Sequence, residues 1–161
     1  LRLVALVGAP GVGKSALARR HATGQLQRFP GGVWCCELGE RRDRMGVVQA
    51  VAGALEVPIH SRSEDHLVEQ LRHALRARGR TLVVLDGVEG LSEDARATLA
   101  GWLERAPELR LLVTSRERLG LRGETVVRVP RLGREEGARP CGSKSGALCK
   151  QPRQSACTSF A

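Results

Sequence analysis

Apolar residues along this chain follow two rhythms. Five short runs, "LRLVALV", "GGVWCCEL", "TLVVLD", "LRLLVTSR" and "ETVVRV", are nearly continuous, as strands covered on both faces read. Between them the apolar positions recur at helical spacing: Val47, Val51 and Leu55 with Val48 and Ala52, then Leu67, Leu71 and Leu75, then Leu99, Trp102 and Leu103. "SALARRHA" is rich in good helix formers and predicts a helix directly after the first run. Punctuation falls between these segments. Pro30-Gly31-Gly32 is a turn into the second strand, and Gly79 closes a helix. Ser61 with Glu64 three residues on has the form of a capping box, and Ser92 followed by Glu93 and Asp94 starts a helix. Strands alternating with helices predict an α/β fold built on a parallel sheet.

The rhythm stops near Gly133. "GREEGARPCGSKSGALCKQPRQSACTSFA" has no period, and residues 133–161 read as a disordered or loosely packed tail after a core of residues 1–132. The chain opens directly on its first strand, as a piece of a longer protein would. None of its apolar runs approaches the about 20 residues of a membrane span, so the expectation is a cytoplasmic protein with no membrane partner.

The net charge of +9 invites a nucleic-acid reading. Two features oppose it. Arg outnumbers Lys 23 to 3 while Tyr and Asn are absent, a bias that GC-rich codons produce without any partner. Trp34, Trp102, Phe29 and Phe160 are the only aromatic residues, too few for a base-stacking platform. Direct nucleic-acid binding by this segment is therefore not expected. The five cysteines (Cys35, Cys36, Cys141, Cys149, Cys157) have neither metal-ligand spacing nor an even count.

The chemistry begins at "VGAPGVGKSALA". Gly8, Gly13, Lys14 and Ser15 fit the P-loop spacing G-x-x-x-x-G-K-[ST]. A phosphate chain wrapped by backbone N–H groups needs a close, sharply turning backbone, which glycine allows. Residues Gly8, Ala9, Pro10, Gly11, Val12, Gly13, Lys14, Ser15 and Ala16 are thus the predicted nucleotide-binding set. Lys14 would reach the β- and γ-phosphates, Ser15 would ligate Mg²⁺, and the helix N-terminus would face the phosphates. Asp86, ending the apolar run "TLVVLD", is the second expected Mg²⁺ contact. Fast ATPases place an acid after such an aspartate to polarise water; here Gly87 stands there, and Glu89 is the nearest substitute. "LLVTSRERLGL" puts Thr114, Ser115 and Arg116 at the end of another strand, where a hydroxyl and a guanidinium could meet a γ-phosphate. Lys14, Asp86, Glu89 and Arg116 are the candidate catalytic residues, and Ser15 and Asp86 the candidate metal ligands.

The succession "VGAPGVGKSALA", "GGVWCCEL", "LVVLDGVEGL", "LLVTSRERLGL", "GETVVRVPRL" resembles the STAND ATPases, which include the NB-ARC switches of apoptosis and plant disease resistance. Its wording is similar to that of bacterial transcriptional regulators carrying an ATPase module between DNA-binding and helical-repeat regions. The resemblance covers residues 1 to about 132, and the "TSRERLGL…GE" block is its specific part. It implies a P-loop NTPase three-layer sandwich with a five-stranded sheet of order 5-1-4-3-2. It implies ATP, ADP and Mg²⁺ as ligands, slow hydrolysis, and a switch in which ADP holds the protein closed and ATP opens it for self-association. It assigns γ-phosphate sensing to Arg116. The family's adenine contacts before strand 1 and its lid after strand 5 are not matched in this chain. A non-hydrolysing P-loop interaction module and a small-molecule P-loop kinase are the rival readings.

Overall fold

Five strands lie side by side and all run parallel, with residues 1–58 and 63–131 described by the structure, a computed structural model. In chain order the elements are β1 (Leu3–Val7), α1 (Lys14–Thr23), β2 (Val33–Glu37), α2 (Arg44–Ala54), α3 (Glu64–Ala77), β3 (Thr81–Asp86), α4 (Glu93–Arg105), β4 (Leu109–Ser115) and β5 (Glu124–Arg128). The sheet order is β2-β3-β4-β1-β5. This is the order that the family resemblance implies. The predicted tail lies outside the described residues. Among the described residues no helix is long and apolar enough to cross a membrane.

Alternation along each strand divides the core. Leu3 and Ala5 of β1, Val83 and Leu85 of β3, and Leu109, Leu111 and Val113 of β4 face one way, against the buried sides of α2, α3 and α4. Leu6, Leu82, Val84 and Leu112 face the other way, against Ala18 and Ala22 of α1. The two layers are unequal. Three helices cover one face, and α3 alone buries Leu67, Leu71 and Leu75 there, each side chain contributing about 1.5–3 kcal/mol. The α1 face is thinner, and Leu17, Leu26 and Val127 are exposed. β2, at the sheet edge, is only partly covered, although Cys36 within it is buried and burial pushes its thiol up to about 12.

The helix ends show what stops and starts the chain. Asp43 accepts the Gly46 N–H at 3.1 Å to cap α2, and Ser92 accepts the Ala95 N–H at 3.2 Å to cap α4. The expected box at Ser61 and Glu64 is not how α3 begins. Ser63 occupies the cap position and Glu64 is the first helical residue rather than the third; Ser61 itself lies outside the described residues. Gly79 follows α3 with φ +68°, the left-handed conformation that ends helices.

The register aligns the carboxyl ends of the strands. Val7 pairs with Ser115 on one side and Arg128 on the other, and Glu37 pairs with Asp86. One rim of the sheet therefore carries the loop after β1, the acid ending β3 and the segment after β4, which is where ligands bind in open α/β sheets.

Candidate functional site

The loop from Gly8 to Gly13 joins β1 to α1. Gly11 and Gly13 have φ of +76° and +89°, and a Cβ on either would meet nothing within 4 Å. Their requirement is conformational: side chains are strained in that region. Gly8 is glycine for another reason. A Cβ there would fall 2.6 Å from the Val129 carbonyl oxygen, where the chain leaving β5 crosses the loop. Val129 N–H in turn donates to the Val7 carbonyl at 2.8 Å, and Gly8 N–H donates to the Ser115 carbonyl at 3.3 Å. The loop is thus anchored by β4 and β5 before any ligand is considered.

Lys14 opens α1 and is buried, at 8% exposure. Its Nζ donates to the Gly8 and Ala9 carbonyl oxygens, both at 2.9 Å. The ammonium thus lies inside the curl of the loop, held by its backbone. One residue on, the Ser15 hydroxyl donates to Asp86 Oδ1 at 2.7 Å. The two predicted metal ligands are 71 residues apart in sequence and in contact in the fold.

Asp86 is fixed from several sides. The Thr114 hydroxyl also donates to its Oδ1, and accepts the Gly87 N–H at 3.0 Å. Arg19, one turn into α1, reaches Oδ2 at 3.4 Å and pairs with Glu37 Oε1 at the end of β2. Arg19 and Glu37 belong to this cluster without any motif marking them. A pair spanning α1, β2 and β3 is legible only once the strand order is known. The Thr114 hydroxyl, expected near a γ-phosphate, is committed instead to positioning Asp86 and the turn after it.

That turn explains the glycine after Asp86. Gly87 has φ +77°, a conformation that costs a side chain about 1–2 kcal/mol. An acid at 87 would be strained. The Glu89 side chain folds back toward this place, its Oε2 standing 3.6 Å from where a Cβ on Gly87 would be. Glu89 is half-buried and Asp86 18% exposed by side chain. Arg42, from the loop after β2, donates to the Gly87 carbonyl at 3.3 Å and steadies the same turn.

Arg116 stands apart. It follows β4 directly and is exposed, and among the described residues no hydrogen bond or ion pair joins it to Lys14, Ser15 or Asp86. The loop that bears it is nevertheless built. The Glu124 carboxylate accepts from Leu119 N–H at 2.9 Å and Gly120 N–H at 2.8 Å. Leu119 is buried, and Arg96 of α4 reaches its carbonyl at 3.5 Å. The "LGL…GE" wording thus has a mechanical meaning: the glutamate clamps the turn that follows the arginine.

The donor set fits a nucleotide with Mg²⁺. Ser15 and Asp86 offer hard oxygen ligands side by side, the loop supplies a curled backbone with open space at Gly11 and Gly13, and Lys14 supplies the compensating charge.

Comparison with known proteins agrees. A family model described as an AAA domain matches residues 2–119. An uncharacterized protein of Mycobacterium tuberculosis is 37% identical over 133 residues, which is 81% of this chain and 33% of that protein. A protein provisionally named an HTH-type transcriptional regulator, from the same organism, is 36% identical over 129 residues, 80% of this chain and 14% of its own length. The chain thus spans a third or less of these relatives. Among solved structures, Cdc6p from Pyrobaculum aerophilum matches with a TM-score of 0.65 at 20% identity, over 80% of this chain and 38% of that one. A STAND protein with a tetratricopeptide repeat sensor from Pyrococcus horikoshii matches with a TM-score of 0.54 at 19% identity, over 84% of this chain and 22% of that one. At those identities the two structures attest the fold alone. The family match, covering the loop, the acid ending β3 and the strand after it, shows that the chain belongs to the AAA domain family of P-loop ATPase domains.

Proposed function

We propose that this chain is an ATP/ADP-binding switch module with slow Mg²⁺-dependent hydrolysis, working within a longer signalling or transcription-regulatory protein in the cytoplasm. The observation that carries the reading is the Ser15–Asp86 contact at 2.7 Å beside the buried Lys14. It brings the predicted metal ligands and the phosphate-neutralising charge to one place. Mg²⁺, which Ser15 and Asp86 would hold, would supply charge to neutralise the phosphates.

The protein's own groups then divide the work. Backbone N–H groups of residues 9–16 hold the phosphates, with the α1 N-terminus behind them. Lys14 exchanges its two carbonyl contacts for phosphate oxygens. Thr114 keeps Asp86 oriented toward Ser15. Glu89, folded toward Gly87, is the group placed to orient or deprotonate water, and the strained place beside Asp86 holds no acid. Arg116, on a clamped but exposed turn, is the γ-phosphate sensor. ATP engagement by Arg116 would reposition this turn and favour association with other domains or a second copy. The relatives' greater length and the regulatory name of one of them support a role inside a larger protein.

Isothermal titration tests the binding step. Lys14→Ala removes a charge-assisted contact worth about 1.5–3 kcal/mol, so affinity for Mg-ATP should fall at least about tenfold. Equal affinity in the two proteins would remove the nucleotide reading.

A further inference from the structure

Arg19 and Glu37 lie against Asp86 but belong neither to the phosphate loop nor to the proposed metal ligands. Arg19 follows Ser15 by one turn of α1 and shares its side of the helix. Its Nη2 stands 3.4 Å from Asp86 Oδ2 and is also paired with Glu37 Oε1. A single nitrogen thus bridges two carboxylates. The strand register brings these acids together, since Glu37 of β2 is the partner of Asp86 of β3. The two oxygens of Asp86 are divided between donors. Oδ1 accepts from Ser15 and Thr114, and Oδ2 faces Arg19.

Charge gives this arrangement a direction. A metal ion held by Ser15 and Asp86 and the Arg19 guanidinium are both cations drawn to one carboxylate. Each lowers the negative potential that attracts the other, and at such short range salt screens them incompletely. Arg19 therefore opposes the metal. Glu37 relieves that opposition, because it offers the guanidinium a second carboxylate to rest on. Glu37 is exposed at the sheet edge and Arg19 is exposed on α1. Exposed ion pairs add little to stability, so the consequence of this contact is to be read at the metal site and not in folding.

We propose that Arg19 is a cationic stand-in for the metal at Asp86 and that Glu37 draws it aside, so that the two residues set the Mg²⁺ affinity of the site in opposite senses. The proposal rests on the nucleotide reading above and names what tunes its metal dependence. Both are positioning residues that act through Asp86. When Asp86 and Ser15 hold the metal, Arg19 gives up Oδ2 and keeps Glu37.

The test measures the Mg²⁺ concentration at half-maximal enhancement of ADP binding, by isothermal titration of the 161-residue chain at low ionic strength. Arg19→Gln should lower that concentration about threefold, and Glu37→Gln should raise it by about the same factor. Opposite shifts cannot come from a shared loss of structure. In the Arg19→Gln background, Glu37→Gln should add nothing, since it acts through the arginine. Arg20→Gln, which removes the neighbouring charge of α1, should leave the concentration unchanged. Mg²⁺-dependent binding with the two variants unshifted, or shifted the same way, would overturn this proposal and leave nucleotide binding standing. Additive shifts in the double variant, or an equal shift in Arg20→Gln, would also overturn it, as an effect of general charge. Absence of Mg²⁺-dependent ADP binding in the unsubstituted chain would remove the nucleotide reading and this proposal together.

Discussion

Two sets of groups at the strand-end rim are furnished unequally. In the first, Ser15, Thr114 and Arg19 all contact Asp86, and Lys14 is buried beside Ser15 with its Nζ held by the Gly8 and Ala9 carbonyls. In the second, proposed to drive cleavage, Gly87 stands where an acid was sought, the Glu89 carboxylate lies near it, and Arg116 is exposed. Preorganised groups stabilise a transition state because they need not be reordered when charge moves. Here the groups proposed to hold phosphate and metal are preorganised, and those proposed to activate water are not. That division supports the proposal of a site that retains a nucleotide and reports its state.

The strongest way to break this comparison is at Asp86. Asp86→Asn removes the charge of the proposed second metal ligand while keeping its shape. Nucleotide binding should then lose its enhancement by Mg²⁺, by about tenfold or more, when titrated with and without the metal. Retained Mg²⁺ dependence would move the metal site elsewhere.

A smaller effect is expected at Arg116, on the other side of the division. If it reads the γ-phosphate, Arg116→Ala should weaken ATP severalfold and leave ADP within about twofold in parallel titrations. Equal losses for both nucleotides would make Arg116 a general electrostatic contributor. The smallest effect belongs to the clamp beneath it. Glu124→Gln exchanges two charge-assisted hydrogen bonds for weaker ones, so it should lower stability by about 1 kcal/mol in a denaturant titration. It should also speed amide exchange at Leu119 and Gly120. Unchanged exchange there would mean that the turn is held by Leu119 burial alone.

Much of this was legible before the fold was known, because the signals were local. Buried strands give apolar runs, α3 gives a clean leucine spacing at 67, 71 and 75, and the phosphate loop is a contiguous pattern. What escaped was set by neighbours in space. Gly8 looks like a phosphate-loop glycine, yet it is the Val129 carbonyl that leaves no room for a side chain. Arg19 and Glu37 carry no motif and meet at Asp86 only through the β2-β3 pairing. Asp43 outcompeted no visible alternative as the cap of α2, but the arginine-rich "ERRDR" around it masked the signal. At α3 a plausible box at Ser61 and Glu64 yielded to Ser63, one residue before the helix. The unequal helix layers, three against one, depend on which way each crossover turns and are invisible in periodicity.

Steady-state phosphate release by this chain, with Mg²⁺ and saturating ATP, tests the central claim most directly. Without an acid directly after Asp86, water activation falls to Glu89 alone, and a poorly positioned base forfeits up to about 10²–10⁴ in rate, while the proposed clamping by Lys14 and the metal would remain. Turnover is therefore expected well below about 1 s⁻¹, and slower still in Glu89→Gln. Turnover of about tens per second would show a site built for cleavage and contradict the account of a nucleotide sensor.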